Sequence, residues 1–235
     1  MELPLVGSEK NKTVPSYQPL WVTGTDTGVG KTLVASLLTR GLNAAYWKPV
    51  QSGLDNGMTD TQTVRSFTQL PPEHFVEERW VLQQPLSPHL AARLDGVHIE
   101  RSDFSWPDRN RVNNPWLIIE GAGGVLVPLN ERDLLIDLMS DLKAPVIVVS
   151  RSSLGTINHS LLTINTLIDR GLKVAGFVMN GDSNPENERI VEHYSGVPRL
   201  GSVHKLDTIN PATLDAVWKE SGIGERFLEV MRSYG

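Results

Sequence analysis

The chain has 235 residues, 40% hydrophobic and 21% charged, with 20 glycines, no cysteine and a formal net charge of −5. That length and apolar content support a single domain with a full core and exclude disordered or fibrous classes. Without cysteine there can be no disulfide, thiolate metal site or thiol nucleophile, which fits a cytoplasmic protein, and an acidic balance gives no footprint for nucleic acid.

In chain order, Met1 to Pro19 lacks the basic-then-apolar pattern of a signal peptide or anchor. It reads as a flexible arm, polar from Lys10, leading into a domain over 20–235. Short β-branched runs predict strands at Leu20 to Thr23, Ala45 to Trp47, Trp116 to Ile119, Val146 to Val149 and Val174 to Met179, with a weaker one at Leu200 to Val203. Helical spacing predicts Lys31 to Arg40, ending before Gly41, then Thr61 to Leu70, Asp133 to Leu142, and Ile157 to Arg170 closed by Gly171 in a left-handed cap. Asp95 to Pro115 reads as a long surface excursion or a short irregular helix. Near the end, Ile223, Phe227, Leu228 and Met231 form a modest stripe whose expected role is burial against the body rather than membrane contact. No apolar run approaches the roughly 20 residues of a membrane span.

Strands alternating with helices predict an α/β fold, single-domain, with a mostly parallel, doubly wound sheet that offers ligands the crevice beyond its carboxyl ends. Directly after the first strand comes Gly24-Thr25-Asp26-Thr27-Gly28-Val29-Gly30-Lys31-Thr32, with Leu33, Val34, Ala35 and Leu37 following at helical spacing. A glycine loop entering a helix N-terminus aims several N–H groups, and the helix dipole, at one spot suited to a phosphate chain. Lys31 would neutralise the β and γ phosphates and the Thr32 hydroxyl would coordinate Mg²⁺, as in P-loop NTPases. The loop is a variant, because the residue six before Lys31 is Thr25 and the glycine stands one place earlier, at Gly24.

Two acids extend this reading. Glu120 closes a strand before Gly121-Ala122-Gly123-Gly124 and could bind Mg²⁺ as strand-end acids do in P-loop enzymes, or simply face water. Asp60 reads first as the N-cap of the helix Thr61 to Leu70. Taken alone, Lys48 is a solvated lysine that Pro49 holds extended, Ser52 is a turn residue before Gly53, and Asn180-Gly181 is a plain turn.

Together these pieces resemble dethiobiotin synthetase: the loop at 24–32, Trp-Lys-Pro-Val-Gln-Ser-Gly at 47–53, Ser-Pro-His-Leu-Ala-Ala at 87–92, Glu-Gly-Ala-Gly-Gly at 120–124 and Leu-Gly-Thr-Ile-Asn-His at 154–159. The resemblance runs from about Leu20 to Leu206, although P-loop amidoligases and nucleotide-switched partitioning ATPases share parts of the core. It implies carboxylation of 7,8-diaminononanoate by CO₂ or bicarbonate, with ATP and Mg²⁺, and ring closure to a cyclic urea. It also implies that Lys31 and Lys48 act in catalysis and that Thr32, Asp60 and Glu120 hold Mg²⁺. Nucleotide contacts fall on Gly28, Val29, Gly30, Lys31, Thr32, Leu33, Gly121, Ala122, Gly123 and Asn180. Substrate contacts fall on Thr27, Ser52, Gly155, Thr156 and Asn158, the last three from the second subunit of a homodimer. Two departures stand out. Gly28 replaces a glutamate of some members, and 201–206 lacks the Pro-Trp that flanks adenine in others, which leaves base specificity open. Partitioning ATPases commonly place a lysine where this chain has Asp26.

Overall fold

Residues 17–108 and 112–233 are described by the computed structural model. Strand β1 (Gln18–Gly24) lies mid-sheet, parallel to β6 (Trp116–Gly124) on one side and β7 (Val146–Arg151) on the other. Its Leu20 and Val22 join one core cluster and its Trp21 the opposite one. Both faces are therefore covered, which is why these strands are continuous apolar runs rather than alternating ones. Beyond β6 lie β2 (Ala45–Trp47) and β4 (Phe75–Val76); beyond β7 lie β8 (Val174–Asn180) and β9 (Arg199–Val203). The order β4-β2-β6-β1-β7-β8-β9 makes a seven-stranded sheet, parallel throughout. A separate parallel pair joins β3 (Val50–Ser52) to β5 (Trp80–Leu82).

All six predicted strands are present. The missed ones, β3, β4 and β5, have only two or three residues, too few to display a period. Helices α1 (Lys31–Gly41), α2 (Asp60–Thr68), α4 (Leu135–Leu142) and α5 (Thr156–Asp169) replace the predicted spans with modest shifts. Gly41 still belongs to α1, its missing side chain leaving room for the Trp218 ring, and the chain turns only at Asn43, φ 49°. Asp133 stays outside α4, its N–H donating to Asn130 Oδ1 at 2.8 Å. Gly171 has φ 72° just past α5, as predicted. Among the described residues the remaining helices are α3 (Pro88–Leu94), α6 (Pro185–Ser195), α7 (Pro211–Glu220) and α8 (Ile223–Arg232). In α8, Ile223 and Phe227 are buried in the core while Leu228 is exposed, so the stripe does pack inward, over a narrower face than predicted.

The predicted arm lies outside the described residues except for 17–19. Gln18 and Pro19 are already strand, and buried Tyr17 donates its hydroxyl to Pro107 O at 2.9 Å. Of the excursion over 95–115, the described residues 95–108 and 112–115 are irregular apart from a 3₁₀ turn at Arg101–Asp103, and they bury Ile99, Phe104 and Val112. Among the described residues no helix is long and apolar enough to cross a membrane.

Candidate active site

The loop between β1 and α1 closes over the strand end. A Cβ at Gly24 would come within 2.6 Å of Val29 Cγ2, which gives the displaced glycine a packing reason. Gly30 caps α1 with φ 99°, a conformation that glycine adopts without strain, and its carbonyl accepts the first helical bond from Val34 N at 3.0 Å. Lys31 is 7% exposed and donates to its own loop, at Asp26 O, 2.8 Å away. Burial first, and the neighbouring positive Lys48 second, hold the Lys31 pKa down to about 8. An arriving anion would reverse that cost by supplying the opposite charge.

Beside the cradle, adjacent strands bring the other charges together. Tyr46 lies opposite Ile118 and Trp47 opposite Ile119, so the next residue, Lys48, comes level with Glu120. Lys48 is buried, not solvated: its ammonium donates to Asp60 Oδ2, and to Glu120 Oε1 at 3.0 Å. Burial alone would lower its pKa, but the Glu120 and Asp60 charges outweigh that and raise it, so Lys48 stays an ammonium. Glu120 is neither at the strand end nor in water; it sits within β6 at 1% exposure. Its Oε1 also accepts the Thr32 hydroxyl at 2.9 Å, and its Oε2 accepts the Tyr46 hydroxyl at 2.8 Å. Burial pushes the Glu120 carboxyl upward, Asp60 adding to the shift and Lys48 opposing it.

Asp60 is not the N-cap of its helix. Thr59 takes that position, accepting Gln62 N at 3.3 Å while Gln62 Oε1 accepts Thr59 N at 2.9 Å. A capping box thus satisfies the helix start and leaves the Asp60 carboxylate free to meet Lys48. Gln51 braces the same corner, accepting Asp60 N at 3.0 Å and donating to Gly53 O at 2.8 Å.

Most predicted residues line one cavity of about 850 Å³: Thr27, Gly28, Gly30, Lys31, Thr32, Lys48, Ser52, Asp60, Glu120, Ala122 and Gly123. Within it, Ser52 Oγ is buried with no hydrogen-bond partner in the described structure, a donor and acceptor at the cavity wall. Leu33 and Asn180 instead line a second cavity of about 450 Å³, together with Arg151, Asp182, Lys205 and Leu206. The loop after β9 therefore does reach this cavity, without Pro-Trp. Asn180 joins the cavity to the cradle by donating Nδ2 to Val29 O at 2.9 Å, so Asn180-Gly181 is more than a turn. Val29 is buried, and Gly121 meets Lys48 only at 3.5 Å through its carbonyl. Gly155, Thr156 and Asn158 line neither cavity of their own chain. Thr156 is buried, its hydroxyl 3.8 Å from Met179 Sδ.

Sequence reasoning missed Tyr46, Gln51 and the ion pair of Asp26 with Arg151. For Tyr46 a signal existed: residues i and i+2 of a strand share a face, which places it on the side of Lys48.

The parallel sheet, the glycine cradle with Lys31 and Thr32, and the adjoining cavities define a P-loop nucleotide-binding protein. Residues 18–213 match the AAA domain family. Among solved structures, pNOB8 ParA bound to nonspecific DNA covers 92% of this chain and is itself 98% covered, with TM-score 0.58 at 10% identity. Pyrococcus horikoshii septum site-determining protein MinD gives TM-score 0.52 at 14% identity, covering 91% and 94%. At these identities the likeness is one of fold. Sequence relatives are more specific. ATP-dependent dethiobiotin synthetase BioD of Brucella ovis is 44% identical over 195 residues, 83% of this chain and 90% of that one. The same-named protein of Rhodopseudomonas palustris is 44% identical over 206 residues, covering 88% and 96%. In the biotin biosynthesis bifunctional protein BioCD of Bordetella avium, 43% identical, the match spans 86% of this chain but only 42% of that longer protein. The chain belongs to the dethiobiotin synthetase family.

Proposed function

We propose that this chain catalyses the ATP- and Mg²⁺-dependent conversion of 7,8-diaminononanoate and CO₂ to dethiobiotin, ADP and phosphate. One amine adds CO₂ and loses a proton to give a carbamate. A carbamate oxygen attacks the γ-phosphorus and ADP leaves, forming a carbamic-phosphoric anhydride. The second amine attacks its carbonyl carbon, phosphate departs with that oxygen, and loss of a proton completes the cyclic urea. In the phosphoryl step an anion approaches an anion, so fixed positive charge must be in place beforehand.

The observation that carries this reading is the buried ammonium of Lys48, held by Asp60 and Glu120 at the same cavity as Lys31. Two cations on different elements suit two anionic partners, with Lys31 on the nucleotide phosphates and Lys48 between carbamate and transferring phosphoryl. Thr32, Asp60 and Glu120 offer hydroxyl and carboxylate oxygens, the hard donors that suit Mg²⁺; Asp60 and Glu120 already hold a positive charge, and the Thr32 hydroxyl donates to Glu120. When bound, Mg²⁺ would neutralise charge on the β and γ phosphates. Ser52 is assigned to the substrate, and Asn180 with Leu33 to the nucleoside. The start of α5 lines neither cavity of its own chain, which fits a homodimer in which Gly155, Thr156 and Asn158 hold the substrate carboxylate of the partner copy. Asp26, paired with Arg151, replaces the lysine of partitioning ATPases.

Incubation with ATP, Mg²⁺, bicarbonate and the diamine should give ADP and a product heavier by one carbonyl and lighter by two hydrogens in the mass spectrum. Folded protein that hydrolyses ATP without forming this species would overturn the assignment.

A further inference from the structure

The Tyr46 hydroxyl touches neither cavity, yet it is committed to the working carboxylate. Tyr46 is fully buried in the core, its ring tilted against Phe75 with centroids 6.4 Å apart. For packing alone phenylalanine would fill the same space, and a buried hydroxyl is costly unless bonded. Its bond goes to Glu120 Oε2, 2.8 Å away, while Glu120 Oε1 receives Thr32 at 2.9 Å and Lys48 at 3.0 Å. The two oxygens are thereby divided, one held from behind and one presented to the cavity. A terminal carboxylate torsion is soft, so Lys48 and Thr32, themselves ligand-facing, would not fix it alone. Tyr46 within β2 and Lys48 just past its end supply both constraints from one side, the phenol at i and the ammonium at i+2.

We propose that Tyr46 is a positioning residue that holds Glu120 so that Oε1 faces bound metal and nucleotide, an inference that rests on the metal role of Glu120 proposed above. Tyr46→Phe keeps the ring and removes only the donor. Calorimetry would give the ATP dissociation constant with chelator and with Mg²⁺, for wild type, Tyr46→Phe, Glu120→Gln and the double variant. The expected result is a metal-free affinity within about twofold of wild type, but a gain from Mg²⁺ reduced about tenfold, the scale of a lost bond to a charged group. In the Glu120→Gln background, Tyr46→Phe should cost nothing further, because it acts through that carboxylate. A Tyr46→Phe protein with a lower melting midpoint but an unchanged Mg²⁺ gain would make the hydroxyl merely structural and overturn the proposal. A wild type with no Mg²⁺ gain would remove the metal reading itself and this proposal with it. Should Tyr46→Phe fail to fold, site-specific Tyr46→3-fluorotyrosine, a stronger donor of similar shape, should increase the gain, and an unchanged gain would again overturn it.

Discussion

Lys48→Ala should lower turnover roughly 100- to 1,000-fold, the scale for removing one preorganised electrostatic group, while Mg·ATP affinity changes less than about threefold. The ammonium is the buried group between Asp60 and Glu120, and its assigned partner is charge that develops in transfer rather than charge that arrives with the nucleotide. Lys31→Ala should damage both quantities, losing about 100-fold in nucleotide affinity, as expected for a desolvated charge-assisted bond to phosphate. The unliganded proteins should differ in the opposite sense. Lys31 carries a buried charge at a cost, shown by its pKa of about 8, so its removal should leave the melting midpoint unchanged or higher. Lys48→Ala strands Glu120 and should destabilise by up to about 3–5 kcal/mol, less whatever Thr32 and Tyr46 still compensate. Steady-state kinetics, calorimetry and thermal unfolding of the two variants check all of this; equal loss of nucleotide affinity would contradict the division of roles.

Gly30→Ala should cost about 100-fold or more in Mg·ATP affinity, equivalent to about 3 kcal/mol, whereas Gly28→Ala should cost less than about tenfold. Both glycines have positive φ, 99° and 72°, so both substitutions strain the backbone by about 1–3 kcal/mol. They differ in what the new methyl meets. At Gly28 it points into open space, with no atom within 4 Å. At Gly30 it overlaps the Asn180 side-chain amide, so either Asn180 abandons Val29 O or the loop lifts away from the α1 N-terminus. Either way the N–H groups that would hold phosphate lose their aim. Equal effects at the two positions would mean that backbone strain, not the Asn180 contact, governs the cradle.

Much of this site is legible in the chain because its parts are local. The cradle is nine consecutive residues at a strand-to-helix junction, and the main strands announce themselves because both faces of a covered sheet must be apolar. What does not show is where long-range pairing sends a charge. Lys48 reads as solvated because lysines mostly are, and only the register of β2 against β6 reveals that it arrives beside Glu120. Asp60 reads as a cap because Asp is a good one, yet Thr59 with Gln62 three residues later is the better capping signal. The short strands escape because two or three residues have no period, and α3, α6 and α7 escape because α3 has only seven residues and α6 and α7 bury few side chains, whereas α8 shows its stripe.

The decisive measurement is a calorimetric titration of the protein with Mg·ATP at pH 8 in two buffers of different ionisation enthalpy. Free Lys31, with a pKa of about 8, is half protonated there, and bound phosphate must raise that pKa. Binding should therefore take up about half a proton at pH 8, with affinity fullest below that pH and falling as pH rises above it. Absence of binding heat together with an unmoved melting midpoint at saturating Mg·ATP would contradict the nucleotide site, and tight binding with no proton uptake would contradict the place given to Lys31 in it.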